Sequence, residues 1–272
     1  MTTGSIRVGA VAYDAKVIPI WEAIREYYRG SPVEMDVVWF SNYEAQVDAL
    51  LEGWIDVAWN TNLAYVRVHH ATQGTCRVLA MRDTDVGFRT LLIGRAGELA
   101  QATDLQGRIL ALGSADSAQA AIMPVYYLRR EGLSAGEDLG LLRFDSDVGK
   151  HGDTGRSERE ALEAVLTGKA DAAAVGAASW DVFVRSREVP PGRLAPFWTS
   201  PAFNHCNFTV LGSLAAERSD AWTSHLLAMD WGDPEHRRIL ELEGLREWVL
   251  PELEGYGDVF SAVDEQGISA RW

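Results

Sequence analysis

Apolar runs of strand length alternate with stretches of helical period along most of the chain. Residues 6–12 read as a strand, and residues 17–28 follow with Val17, Ile20, Trp21, Ile24 and Tyr28 at the spacing of one helix face. A strand over 33–40, a helix over 43–51, a strand over 55–59 and a helix over 63–70 continue the alternation, with further strands over 78–81 and 90–93. Such alternation predicts parallel strands covered by helices. It then restarts: strand 108–112, helix 117–131, strand 141–144, helix 158–166, strand 170–175, helix 179–187. The break over 94–104 and the Pro190-Pro191-Gly192 turn read as joints. An apolar strand over 208–211 and a mostly helical tail over 221–253 follow. In the tail, Trp222, Leu226, Leu227, Trp231, Ile239, Leu240, Leu245 and Trp248 are the expected packing residues.

One internal echo sharpens this picture. Residues 49–58 read ALLEGWIDVA and residues 164–173 read AVLTGKADAA. Each is a helix ending at a glycine, Gly53 or Gly168, that turns straight into a strand, with an aspartate at the same register position. Repetition at that separation predicts two similar α/β lobes rather than a solenoid.

Composition narrows the function classes. Hydrophobic residues make up 47% of 272 and charged residues 24%, the balance of a soluble globular protein. The formal net charge of -14 argues against nucleic acid as a partner, since phosphate backbones demand a basic footprint. It does not argue against a small anion, whose site is set by local amides and a few cations. No run reaches the roughly 20 apolar residues of a membrane span, so no membrane insertion is expected. The opening MTTGSIRVGAVAY lacks the pattern of a signal peptide, which places the chain as given in the cytoplasm, or outside it only where a signal has been removed. Two cysteines, Cys76 and Cys206, make neither a disulfide framework nor a metal motif, and His69-His70 has no third ligand at helical spacing. Nucleotide-binding and nucleophile-elbow motifs are absent, and no cofactor or metal is expected.

The ordered motifs resemble those of the phosphonate-type substrate-binding proteins of ABC transporters, within the sulfonate- and transferrin-like group. SNYEAQVDALLEGWIDVAWNTNLAYV (41–66) is similar to that family's first-lobe helix, strand and ligand loop. LQGRILALGSADSAQAAIMPVYYLRREGL (105–133) is similar to its second-lobe opening, and SEREALEAVLTGKADAAAV (157–175) to the segment that closes the cleft. The resemblance implies a two-lobed type II periplasmic-binding-protein fold, each lobe a mostly parallel sheet flanked by helices, with two hinge crossings. Residues 1–86 and 200–272 would form lobe 1 and residues 87–199 lobe 2. It implies a ligand gripped in the interlobe cleft outside the carboxyl ends of the strands, and an ABC permease as partner if the protein is exported. The family's Ser-Thr-Ser run, which holds phosphonate oxygens, corresponds to Ser114-Ala115-Asp116-Ser117 here. A carboxylate at Asp116 would repel a dianion and favours a zwitterion or a less charged acid.

Strand-end loops supply the candidate residues. Tyr13 and Lys16 follow the first strand, Tyr43 the second, and Asn60 and Asn62 the third. Ser114, Asp116, Ser117 and Gln119 follow the strand at Arg108. Polar groups at four strand ends, some of them helix N-caps, aim backbone N–H groups at an anion. The stretch 147–155 holds three glycines with Lys150, His151 and Asp153, and reads as a ligand clamp. The resemblance also implies a histidine here, and His151 is the position that matches. His205 and Asn207 alternate with Cys206 and share one face of an extended chain. Met81-Arg82-Asp83-Thr84-Asp85, at the first crossing, could hold the hinge by an Arg–Asp pair. Two readings follow: a binding protein for a small polar, anionic or zwitterionic metabolite, or a cytoplasmic dehydratase, lyase or decarboxylase in which His151, His205 and Asp116 exchange protons with a carboxylated substrate.

Overall fold

β1 (Ile6–Val11), α1 (Val17–Tyr27), β2 (Met35–Phe40), α2 (Tyr43–Leu51), β3 (Val57–Asn60) and α3 (Asn62–Ala71) appear in the order the hydrophobic pattern predicts. The computed structural model describes residues 4–268. Two short strands, β4 (Arg77–Val78) and β5 (Met81–Arg82), stand where a single strand over 78–81 was expected. β4 joins the main sheet, whereas β5 pairs with a strand from the tail. A second series then runs β6 (Thr90–Arg95), β7 (Ile109–Leu112), α4 (Met123–Arg130), β8 (Gly140–Arg143), α5 (Arg156–Leu166), β9 (Ala172–Gly176), α6 (Ala177–Arg185) and β10 (Leu194–Thr199). The tail adds β11 (Asn207–Val210), α7 (Ala216–Leu227), α8 (Pro234–Glu243), β12 (Trp248–Val249) and α9 (Gly257–Glu265).

The chain divides into two units. One holds the chain up to Gly87 together with Asn204–Gly257, and the other holds Phe88–Phe203 together with the segment from Asp258. The chain therefore passes between units three times, where two crossings were expected. The segment from Asp258, expected with 200–272 in lobe 1, packs in the second unit. The cause is local: Tyr126 and Tyr127 both donate to the Asp258 carboxylate, at 3.0 and 2.9 Å, and Gln266 donates to the Ile122 carbonyl at 2.9 Å.

The first unit's sheet has the order β2-β1-β3-β11-β4 and the second unit's has β10-β6-β9-β7-β8. In each, three strands are parallel, β2-β1-β3 and β8-β7-β9. An antiparallel strand then docks on the third, β11 on β3 and β6 on β9. The sheets are thus mixed rather than mostly parallel. Sequence patterning misses β10 because Pro196 interrupts it. An edge strand tolerates the missing N–H, and the pairing with β6 slips between Pro196 and Trp198.

Aromatic side chains dominate the first unit's core. Phe208 packs its ring on Trp59 at 4.6 Å and on Trp222 at 4.9 Å, and Tyr28 stacks on Trp222 at 5.5 Å. Of the expected tail residues, Trp222, Leu226, Ile239, Leu240, Leu245 and Trp248 are buried, and Leu227 and Trp231 pack on them partly exposed. The second unit is built from smaller residues, Leu92, Leu110, Leu112, Ala172 and Ala174 on one face of its sheet and Ile93, Ala111, Ala173 and Val175 on the other. Strands buried on both faces read as continuous apolar runs for this reason.

Candidate functional site

In the second unit, the strand-end group grows from an irregular helix start. Before α4 lies one π turn, Ala118–Ile122. Pro124 has no N–H to offer the Ala120 carbonyl, and that carbonyl instead accepts from Gly113 N–H at 2.9 Å. A side chain at Gly113 would meet the Ala120 methyl at 2.6 Å, so glycine is what allows the strand end to approach the turn so closely. Ser117 caps the turn by accepting from Ala120 N–H at 3.3 Å. Ser114 is used within the unit as well: its hydroxyl donates to the Phe144 carbonyl at 3.3 Å and accepts from Asp147 N–H at 2.9 Å.

The long connection after β8 seats on this helix start. Asp147, buried, fastens the loop by accepting from Ser157 N–H at 2.8 Å and from the Thr154 hydroxyl. Asp116 accepts from Gly149 N–H at 2.5 Å, which turns that carboxylate oxygen toward the loop. His151 is 1% exposed, adopts a left-handed backbone (φ 52°), and places Nε2 4.0 Å from Asp116 Oδ2. A non-glycine residue in that conformation is held there by its surroundings, and such residues gather at binding sites. Gly152, also left-handed, lies so close that an added methyl would meet Ser117 Oγ at 2.4 Å and Gln119 Nε2 at 3.0 Å. Asp116, Ser117, Gln119 and His151 thus form one buried group around the turn. Lys150 and Asp153 lie on the same loop, joined through the Asp153 N–H to Lys150 carbonyl bond of 3.0 Å. Glu158, buried at the start of α5, accepts from Gly176 N–H at 2.7 Å.

In the first unit, the strand ends carry amides. Asn42 caps α2 by accepting from Ala45 N–H at 2.8 Å, and Tyr43 beside it is buried. Asp14 accepts from Lys16 N–H at 2.9 Å, and the Lys16 ammonium lies 6.0 Å from the centre of the Tyr13 ring. Asn60, at the end of β3, accepts from Gln46 Nε2 at 3.0 Å. Asn62 is tied internally, accepting from Leu63 N–H at 2.9 Å and donating to the Asn204 carbonyl at 3.2 Å. Asn207 donates to the Tyr256 hydroxyl at 2.8 Å and accepts from the Thr209 hydroxyl at 2.6 Å.

His205 sits in an ionic cluster within the same unit. Its Nδ1 is 2.9 Å from Cys206 Sγ and 3.5 Å from Asp85 Oδ1. Arg82 grips Asp85 with two bonds of 2.6 and 2.9 Å, the Arg–Asp pair expected at this crossing. Burial pushes the Asp85 carboxyl up, but the Arg82 charge, backed by hydrogen bonds from His205 and Arg82, prevails and holds it down to about 2. Asp85, His205 and Cys206 bring three ligand-type atoms within 4.8 Å of one another. The guanidinium already on Asp85 opposes a cation there.

Sequence reading missed Gln46, Asp147 and Glu158. Gln46 had a signal: it stands among Tyr43, Val47 and Leu50 on the buried stripe of α2, where an apolar residue is expected. Glu158 similarly shares the buried face of α5 with Ala161, Leu162 and Val165.

Residues 13–256 match the family model described as "ABC transporter, phosphonate, periplasmic substrate-binding protein". The chain belongs to that family. A curated relative, the probable ABC transporter phosphite binding protein PhnD1 of Prochlorococcus marinus (strain MIT 9301), is 22% identical over 246 residues, covering 86% of this chain and 80% of the relative. The structure of PhnD1 in complex with methylphosphonate superposes with a TM-score of 0.76 at 19% identity, covering 97% of this chain and 98% of that one. XAC2383 from Xanthomonas citri bound to ATP gives 0.76 at 15% identity, over 98% and 99% of the two chains. The aliphatic sulphonate binding protein SsuA of Escherichia coli gives 0.64 at 11% identity, over 98% and 94%. The fold is therefore the type II periplasmic-binding-protein fold, and this member of the family is a substrate-binding protein. The relatives named bind solutes, and they lend no support to the dehydratase, lyase or decarboxylase alternative. Among the described residues, no helix is long and apolar enough to cross a membrane.

Proposed function

We propose that this substrate-binding protein takes a small oxyanion of the phosphonate and phosphite class, and that its strand-end residues in each unit make the contacts. The observation that carries the reading is the buried His151, held left-handed beside Asp116 over the helix start at Ser117 and Gln119. An imidazole and a helix N-terminus supply donors for an oxyanion. The neighbouring Gly149 N–H, donated to Asp116, offsets part of the carboxylate charge that would otherwise repel it. PhnD1, described as a phosphite binding protein and solved with methylphosphonate, supports this class of ligand. In the same reading the protein works outside the cytoplasm and hands its ligand to an ABC permease, as the description of the family supports. Tyr13, Lys16, Tyr43, Asn60, Lys150 and Asp153 stand as further candidate contacts. Ser114, Asn62 and Asn207 hold the strand ends through bonds within their own units.

Isothermal titration with methylphosphonate, phosphite and an aminoalkylphosphonate tests this. At least one should bind, and His151→Asn should weaken it roughly tenfold or more, the scale of a lost charge-assisted hydrogen bond, with the circular dichroism unchanged. Absence of binding by all three, or an unaltered affinity in His151→Asn, would sink the reading.

A further inference from the structure

We infer that Gln46 is a positioning residue that fixes which end of the Asn60 amide is left over, making the end of β3 a hydrogen-bond donor rather than an acceptor. The inference rests on the proposed oxyanion reading and adds to it the rule by which the first unit selects its ligand. Gln46 is fully buried on α2, and its Nε2 lies 2.7 Å from the Trp59 carbonyl and 3.0 Å from Asn60 Oδ1.

The polarity follows from hydrogen-bond chemistry alone. A backbone carbonyl can only accept, so the Gln46 atom that faces it must be the NH2 group. That group has a second hydrogen, and the Asn60 atom facing it must then be the carbonyl oxygen. The remaining end of the Asn60 amide is therefore NH2. This assignment follows from the network even though amide nitrogen and oxygen look alike. Asn60 Nδ2 is itself buried, with no hydrogen-bond partner among the described residues. A buried donor left unmatched is costly, and a ligand oxygen removes that cost.

The neighbouring sequence is shaped to permit this reach. Gly9, in the centre of β1, has no side chain, and an added methyl would stand 3.2 Å from Gln46 Cγ and 2.5 Å from Ile55 Cδ1. The Gln46 stem lies across β1 because that position is glycine. The arrangement disfavours a ligand that brings an ammonium to this point, since two donors would face each other.

Two measurements test the relay. The first needs no ligand: a long-range correlation through the hydrogen bond, from Gln46 Nε2 to the Trp59 carbonyl carbon, should appear in the NMR spectrum of the intact protein, and its absence overturns the assignment. The second is a double-mutant cycle read by titration with methylphosphonate. Gln46→Met keeps the length of the side chain and removes its donors. It should weaken binding roughly three- to tenfold, Asn60→Ala roughly tenfold, and the double variant no more than Asn60→Ala alone. Equal losses from Gln46→Met with and without Asn60 would mean that Gln46 only supports the fold, and would overturn the proposal. If wild type fails to bind methylphosphonate, phosphite or an aminoalkylphosphonate, the oxyanion reading falls, while the NMR correlation still decides the orientation of Asn60.

Discussion

The two units share a frame and differ in what they hang on it. Each has three parallel strands in the order second, first, third, with an antiparallel strand on the third. Each carries the echoed helix-glycine-strand turn, α2 into β3 and α5 into β9. In the first unit only Ser41 and Asn42 separate β2 from α2. In the second, the corresponding connection from β8 to α5 spans residues 144–155 and carries His151. Sheet geometry is fixed by packing, so a unit gains chemistry by lengthening the connection at the strand end. The units also differ where the chain passes between them. On the first unit's side the passing segments are held by charge, Arg82, Asp85 and His205. On the second unit's side the first two meet in apolar contact, with the Phe88 and Phe203 rings 5.7 Å apart, and the third is held by the two tyrosine bonds to Asp258.

Breaking the charged side should have the largest effect on stability. Asp85→Asn takes the buried carboxylate away from Arg82 and His205, and breaking a buried pair costs about 3–5 kcal/mol; Glu243, 3.4 Å from the partly exposed Arg82, keeps the loss near the lower end. Phe203→Leu on the apolar side should cost about 1 kcal/mol, because volume is nearly conserved. Urea unfolding of both variants checks the contrast, and equal losses would show that the two sides are held alike.

Most of this frame was legible in the sequence, for reasons that particular residues make plain. Period and apolar runs located β1, α1, α2 and β7, because strands buried on both faces leave little freedom in composition. The patterning could not show that β11 and β6 run antiparallel, since pairing direction leaves no mark on alternation. It missed the strand containing Pro196, an edge exception. At the site, His151 and Asp116 were legible as a loop histidine and a helix-start carboxylate, and the structure sets them 4.0 Å apart. Gln46 was hidden because a single polar residue in an apolar stripe looks like noise until its partners are seen. Ser114 and Asn207, candidate ligand groups in the sequence, make hydrogen bonds within their own units, since hydroxyl and amide side chains serve turns and ligands equally well.

Next in size is the long connection itself. Gly152→Val places a branched side chain at φ 86°, where an added Cβ already meets Ser117 Oγ. It should unseat the loop and lower affinity for methylphosphonate by roughly a hundredfold, about 3 kcal/mol, while global stability falls less because the change is confined to one connection outside the sheet. Gly53→Ala, at a left-handed glycine of the first unit (φ 77°) that lies outside any such connection, meets open space. It should leave affinity unaltered and cost only about 1 kcal/mol of stability from the left-handed strain.

Acid should then separate the two sides of the passing segments. The Asp85 carboxyl is depressed in the folded state to about 2. Its contribution is therefore complete above the unfolded carboxyl value of about 3.9 and is lost as pH falls through the folded value. Wild type should lose about 2 kcal/mol between pH 4 and pH 2 from this group, and Asp85→Asn should lack that component. Urea midpoints measured across that window read the difference; parallel pH profiles would mean that Asp85 is not held down.

The smallest effect probes the echo. Asp56 and Asp171, the aspartates repeated in the two motifs, do the same work: Asp56 accepts from Arg7 N–H and Asp171 from Ile109 N–H, both at 2.9 Å, so each pins the start of its unit's first parallel strand. Their arginines differ. Arg7 grips Asp56 with two bonds of 3.0 Å, whereas Asp171 is shared by Arg108 at 3.4 Å and Arg95 at 3.6 Å. Burial raises the Asp56 carboxyl, and the bonds and charge from Arg7 outweigh it, leaving a net lowering. Asp56→Ala should therefore cost about 2 kcal/mol and Asp171→Ala about 1 kcal/mol, the shared part being the lost backbone bond and the excess the bidentate pair. Replacing Arg7 by Met should bring the two costs together. If they stay apart, the aspartates owe their repetition to the turn from helix to strand rather than to the strand they pin.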